Sequence, residues 1–239
     1  MPSPKTAQGS KSSTMSFKST SAVTIRVGKD PNTEDFIAHE SFLTSRSEFF
    51  RRAMNGNWQE ADTRTINFPD DDPGTFALYL NHLYTGQLPI ATETEEELKK
   101  LTTGDFITVV TKQYDNVLRV FVLGEKLQDL STKNAMMEAA LATTKLTGQH
   151  GKRQAPSAQT INMVYKGTPS SSLARCLLVD IWTGLPISSI FEHFNQIHED
   201  VQKDLGRSVS DRYKVVSANI GNIPEEKGIV AYQEKPKGA

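Results

Sequence analysis

Cysteine is the residue that this sequence most conspicuously lacks, since Cys176 is the only one in 239 residues. A single thiol excludes an intramolecular disulfide and a cysteine-rich zinc module, and it favours a reducing compartment. The sequence also lacks an apolar run of the about 20 residues that a membrane-spanning helix needs. Its first residues lack the apolar centre of a secretory signal. We therefore expect a soluble protein of the cytoplasm, the nucleus or both, without a membrane partner.

Neither sign of charge dominates the chain. It carries 27 basic and 28 acidic residues, so no overall field attracts nucleic acid, and we expect no direct nucleic-acid contact. A chain of 239 residues is long enough for one main domain with extensions.

Motifs of enzyme and metal chemistry are absent as well. The sequence contains no G-x-x-x-x-G-K, G-x-G-x-x-G, H-E-x-x-H or G-x-S-x-G. His193 and His198 would lie about 140° apart on a helix, which is wrong for shared ligation of a metal ion. The aspartates at 70–72 precede Pro73, where capping of a helix explains them. We therefore expect no catalytic, cofactor-binding or metal-binding residues, and an enzyme of unknown chemistry is only a residual alternative.

Short elements follow one another closely between residues 23 and 86. Alternating apolar residues at 23–28 and an extended piece at 35–39 predict an antiparallel hairpin. A helical run over 41–54 and a half-buried strand over 64–68 come next. A helix then starts at 70–73 and ends at Thr85-Gly86. Its apolar stripe consists of Phe76, Leu80, Leu83 and Tyr84.

The residues of this stretch resemble the BTB/POZ domain. The resemblance rests on F-x-x-H-x-x-x-L-x-x-x-S-x-x-F, on the acidic Glu60, and on the ending L-Y-T-G. The resemblance continues for about sixty residues past Gly86 and more loosely to Gly184. The sequence is similar to the stand-alone BTB proteins of filamentous fungi. The motif residues are Phe36, His39, Leu43, Ser47, Phe50, Leu83, Tyr84 and Gly86.

The resemblance implies an α+β fold, with a small, mainly antiparallel sheet flanked by a cluster of helices. Residues 106–110 fit either a strand or the start of a helix. Further helical stretches follow from Tyr114 and from Ser131, and Gly124 would allow a close helix approach. The expected organisation is a disordered arm at 1–20, the BTB/POZ domain at 21–146, an exposed linker at 147–159, a helical extension at 160–207 ending near Gly206, and a mostly irregular tail at 208–239.

The resemblance also implies homodimerisation through the first helices and the N-terminal strand. The dimer face would then include Ser41, Phe42, Ser45 and Phe49. Phe42 and Phe49 lie off the stripe of the helical run that faces its own core, and an exposed apolar pair favours a partner. The alternative is that a neighbouring helix of the same chain covers both rings.

Family members also dock cullin scaffolds or transcriptional co-repressors. Cullin adaptors carry a hydrophobic-x-Glu signature after the L-Y-T-G helix, and the partner-loop candidates here are Ile90 and Glu93, with the acid one place late. Ala22 and Glu40 stand where the co-repressor-binding class has an Asp and a basic residue.

We expect a non-catalytic interaction module that self-associates and recruits a partner, as a substrate adaptor of a cullin ubiquitin ligase. The alternative is an oligomerising scaffold or a transcriptional regulator without ubiquitin involvement.

Overall fold

The computed structural model describes residues 21–56, 59–88, 93–214 and 223–234. The predicted disordered arm at 1–20 lies outside these residues. The elements in chain order are β1 Ala22–Val27, β2 Glu34–His39, α1 Glu40–Arg46, α2 Glu48–Ala53, α3 Gln59–Thr63, β3 Thr65–Phe68, α4 Pro73–Thr85, α5 Glu95–Lys100, α6 Thr103–Leu127, α7 Leu130–Thr143, α8 Ala158–Gly167, α9 Leu173–Thr183, α10 Ile187–His193, α11 Glu199–Lys214 and α12 Ile223–Lys227. The short 3-10 turns are Gln149–Gly151, Phe194–Gln196 and Ile229–Tyr232.

The sheet has the strand order β2-β1-β3. The predicted hairpin is present, with Ala22 opposite His39 in antiparallel register. β3 pairs with β1 in parallel, with Thr24 opposite Thr65, so the small sheet is mixed. The α+β fold class is confirmed. Alternation along β1 buries Val23, Ile25 and Val27 completely and turns the other face of the sheet away from the core.

The helical run predicted over residues 41–54 is two helices, α1 and α2. Ser47 interrupts it with an extended backbone (φ −103°, ψ 123°). Its Oγ accepts a hydrogen bond from the Phe50 N–H (3.2 Å) and donates one to the Leu127 carbonyl (2.6 Å). A serine hydroxyl that caps a new helix competes with helix continuation, which periodicity alone does not reveal. Leu43 and Phe50 are nevertheless both fully buried, as the apolar stripe predicted.

The predicted ends of α4 are confirmed. Asp72 accepts a hydrogen bond from the Thr75 N–H (2.8 Å), and Pro73 occupies the first turn. Gly86 ends the helix in the left-handed conformation (φ 71°) and donates its N–H to the His82 carbonyl.

The ambiguous residues 106–110 belong to a helix, because α6 runs without a break from Thr103 to Leu127. The helical stretch expected from Ser131 begins one residue earlier, since α7 starts at Leu130 and is capped by Asp129. Gly124 allows the predicted close approach. A Cβ there would lie 3.2 Å from the Lys133 Cγ on α7.

The helices of the C-terminal half pack on this pair, with α8 against α6 and α9 against both α8 and α11. The expected exposed linker at 147–159 is buried near its end. Ala155 and Pro156 are buried, and the Trp182 indole N–H donates to the Pro156 carbonyl (3.0 Å).

The expected helix end at Gly206 is wrong. α11 continues through Gly206 to Lys214, and past the glycine Val209 packs on the core and the Arg212 guanidinium donates to the Thr183 carbonyl (3.2 Å). A glycine inside a helix costs only about 1 kcal/mol, and burial of Val201 and Leu205 holds the helix in place. The tail expected to be mostly irregular contains the end of α11, α12 and a 3-10 turn.

Candidate interaction surface

Three aromatic side chains meet where β2 passes into α1. The His39 backbone N–H donates to the Tyr84 hydroxyl (2.8 Å), and the His39 Nδ1 lies 3.0 Å from the same oxygen. The Phe42 ring stacks on the Tyr84 ring, with centroids 4.7 Å apart and planes 14° from parallel. These contacts tie the end of α4 to the start of α1 and hold a flat aromatic surface at the edge of the sheet.

Ile37 extends this aromatic surface along β2. It stands two residues before His39, on the same face of the strand, and 77% of its side chain is exposed. The facing side chains on that side of the sheet include Thr24, Arg26 and Asp35, and the last two form an exposed ion pair (2.8 Å). We name Ile37, His39, Phe42 and Tyr84 the outer patch.

Sequence reasoning missed Ile37, although a signal was present. Phe36 and Ala38 flank it, and Ala38 is buried in the core. A strand that buries its even-numbered positions must turn the odd ones outward. Ile37 therefore had to face away from the core of its own sheet.

The predicted dimer-face residues divide into two groups. Ser41 and Ser45 are exposed, and the Ser45 hydroxyl donates to the Phe42 carbonyl (2.9 Å). Phe42 is partly exposed within the outer patch, whereas Phe49 packs its ring against Phe50 and Phe68 (centroids 5.4 Å apart in each case). The two phenylalanines therefore do not form one exposed pair, and the structure brings Phe42 together with Tyr84 instead.

Ala22 and Glu40, the two positions that differ from the co-repressor-binding class, are both bonded to the Arg64 side chain. Arg64, in a left-handed backbone conformation (φ 51°), donates to the Ala22 carbonyl (2.8 Å) and pairs with the Glu40 carboxylate (2.8 Å). This bridge fixes the first residue of α1 against β1. Glu40 is engaged in structural support beside the outer patch.

A polar network lies beneath α1. The fully buried Asp129 accepts a hydrogen bond from the Tyr79 hydroxyl (3.2 Å) and lies 3.7 Å from the Arg46 guanidinium. Burial and the adjacent Asp129 carboxylate raise the pKa of Tyr79. Burial lowers the pKa of His82, whose Nε2 lies 3.3 Å from Arg46. These groups are bonded to one another inside the fold, so they serve its structure.

The acidic segment before α5 presents Glu93 to solvent. Thr94 and Glu97 form a capping box, in which the Thr94 N–H donates to the Glu97 carboxylate (2.7 Å) and lowers the pKa of Glu97. The other partner-loop candidate, Ile90, lies outside the described residues.

The described residues contain no group of three or more His, Cys, Asp or Glu side chains arranged to hold a metal ion. His193 packs on Trp182, while the His198 Nδ1 accepts a hydrogen bond from the Asp200 N–H (3.2 Å). In the same residues, no helix is both long and apolar enough to cross a bilayer.

Residues 12–112 match the family model of the BTB/POZ domain. The matched range includes the whole mixed sheet, the outer patch and the helices α1 to α5. The BTB/POZ domain is a protein-interaction domain. The chain therefore contains a BTB/POZ domain, matched over residues 12–112.

Proposed function

We propose that this protein is a non-catalytic interaction module that forms a homodimer through its outer patch. The observation that carries the proposal is the exposure of Ile37 on the same strand as His39, whose ring centroid lies 6.4 Å from that of Phe42 and 6.0 Å from that of Tyr84. An exposed apolar group next to rigid aromatic rings is typical of the centre of an interface.

The position of the outer patch fits a symmetric contact. In the described part of the chain β2 pairs with β1 alone, so its other edge presents backbone groups to a second strand. Two copies related by a two-fold axis would bring the same patch against itself. Ser41 and Ser45, exposed on α1, would lie in the polar rim of that contact.

Light scattering on the purified chain tests the proposal. We expect about twice the chain mass for the wild type, and a monomer for Ile37→Glu, because a carboxylate in a closed apolar contact loses its hydration. Phe42→Glu should act in the same direction. Val230→Glu is the matched control, since Val230 is 75% exposed but lies far along the chain from the patch. A wild-type monomer at high concentration would remove the proposal.

We also propose a second candidate, a substrate adaptor of a cullin ubiquitin ligase. It is favoured by the exposure of Glu93 close after the L-Y-T-G ending of α4. Purified cullin N-terminal region should co-elute with the chain, and Glu93→Lys should weaken the complex, whereas Glu95→Lys is the control on the same segment. Absence of co-elution at micromolar concentrations would leave a dimeric scaffold or transcriptional regulator without ubiquitin involvement.

A further inference from the structure

The C-terminal residues 227–234 lie against α7 and α9 and are held there by a buried tyrosine. Tyr232 is 1% exposed, and its hydroxyl donates to the Asp180 carboxylate on α9 (2.7 Å). Asp180 is itself buried and also pairs with Lys227 (2.5 Å). We name the surface of α7 and α9 that receives this segment the tail groove.

The backbone of the segment is recognised by a side-chain amide. On α7, the Asn134 Oδ1 accepts from the Glu234 N–H (2.9 Å), while its Nδ2 donates to the Glu234 carbonyl (3.2 Å). An amide that holds both backbone groups of one residue recognises that residue whatever its side chain is. This contact therefore recognises a peptide backbone, in addition to filling space.

The buried Lys133, next to Asn134 in sequence, favours an acidic side chain at the position of Glu234. Lys133 on α7 is buried, and its ammonium group pairs with Glu234 (2.5 Å) and with Glu125 of α6 (2.7 Å). A buried cation is costly without anionic partners. The Glu234 carboxylate, two residues after Tyr232, therefore pairs with a buried cation of opposite charge.

Among the remaining side chains of the segment, Ile229 packs partly buried on the core and the others lie at the rim or point outward. Gln233 donates to the Glu138 carboxylate at the rim (2.8 Å), and Val230 projects into solvent. Recognition is therefore concentrated at four points, namely the Lys227 ammonium group, the tyrosine hydroxyl, one backbone unit and one carboxylate. That concentration is characteristic of short-peptide docking.

We propose that the tail groove is a docking site for a peptide in which a tyrosine closes a 3-10 turn and an acidic residue follows two positions later. The chain's own residues 227–234 are its resident occupant, and a partner protein with the same spacing replaces them. The proposal concerns α7 and α9 and does not depend on dimerisation through the outer patch.

Residues 227–234 compete strongly with a free peptide for the tail groove, because they belong to the same chain as the groove. A short tether gives an effective concentration of the order of millimolar, so a free peptide binds detectably only when the tethered copy is weakened. The test therefore uses the full chain with substitutions in its own tail.

Fluorescence anisotropy with a labelled peptide of sequence KGIVAYQE, residues 227–234, provides the measurement. We expect the full chain carrying Tyr232→Ala to bind it at least tenfold more tightly than the wild type. Glu234→Ala, a milder change at a partly exposed side chain, should show the same trend. Val230→Ser, at an exposed position of the same segment, should bind like the wild type.

Two further measurements establish specificity. Adding Asn134→Ala to the Tyr232→Ala chain should reduce peptide affinity at least tenfold, and the peptide carrying Tyr232→Ala should not bind. The proposal is overturned if both tail variants fold, as judged by circular dichroism, yet bind no better than the wild type. It is equally overturned if both variants unfold, because the segment is then an integral part of the fold. Light scattering on the same samples reports the outer patch separately.

Discussion

The outer patch and the tail groove differ in which kind of side chain they expose and which kind they bury. The outer patch leaves apolar groups in water, with Ile37 77% exposed beside Phe42 and Tyr84. The tail groove removes polar groups from water, with Asp180, Lys133 and Tyr232 all buried. Exposed apolar area is stabilised by any well-fitting partner, whereas buried charges require matched groups at fixed positions. The patch is thus suited to a large contact and the groove to a selective one.

Removal of the buried carboxylate of Asp129 would show whether the polar network beneath α1 depends on matched charges as the tail groove does. We expect Asp129→Ala to lower the free energy of unfolding by about 3–5 kcal/mol, because it leaves Arg46 without its buried counter-ion. Urea unfolding followed by circular dichroism measures the change. Asp35→Ala, at an exposed ion pair, should cost less than about 1 kcal/mol and is the control. Equal costs would contradict the contrast between buried and exposed pairs.

A smaller change would sharpen the description of the groove. Tyr232→Phe removes only the hydroxyl that donates to Asp180 and should cost about 1–3 kcal/mol of stability. Tyr84→Phe in the outer patch, where the hydroxyl belongs to an exposed ring, should cost less. Thermal or urea unfolding of both variants compares the two sites. A larger loss for Tyr84→Phe would reverse our ranking of them.

The dependence of stability on pH tests the polar network beneath α1, to which His82 belongs. Burial lowers the pKa of His82 in the folded protein, so the unfolded chain binds the proton more readily. The stability from neutral His82 is present above its unfolded pKa of about 6.5 and is lost as the pH falls through the lower folded value. His82→Gln should flatten this part of the profile of unfolding free energy against pH. Urea unfolding of the wild type and of His82→Gln at a series of pH values measures the difference.

The smallest effect should come from the most exposed apolar residue. Ile37→Ser should change the stability of the monomer by no more than about 0.5 kcal/mol, since the side chain has few contacts to lose. Leu43→Ala, at a fully buried position, should cost about 2–5 kcal/mol. Urea unfolding at low protein concentration compares the two variants. A large loss for Ile37→Ser would show that the outer patch serves the fold of a single chain.

Local rules predicted the first half of the fold well. Alternation identified β1, and Asp72, Pro73 and Gly86 identified the ends of α4, because caps and strand faces depend on neighbours a few residues away. The same rules failed at Ser47, where the carbonyl that completes its hydrogen bonding belongs to Leu127, eighty residues away. They also failed at Gly206, where burial of neighbouring side chains offsets the low helix propensity of glycine.

The candidate sites divide in the same way. The motif residues pointed to His39 and Tyr84, and the family match confirms the BTB/POZ domain that they indicated. The dimer-face and partner-loop assignments remain predictions. The tail groove was not foreseen, because Asn134 and Glu234 are a hundred residues apart in sequence, and neither belongs to a recognisable motif.

The sequence by itself determined the family, the strand and helix character of residues 22–86, and the shortage of thiols and enzyme motifs. Each of these depends on residue type and local spacing. Only the tertiary structure decided that Phe42 stacks on Tyr84 while Phe49 packs on Phe50 and Phe68, and that Tyr232 reaches Asp180. Such pairings depend on the packing of distant segments, which no local pattern encodes.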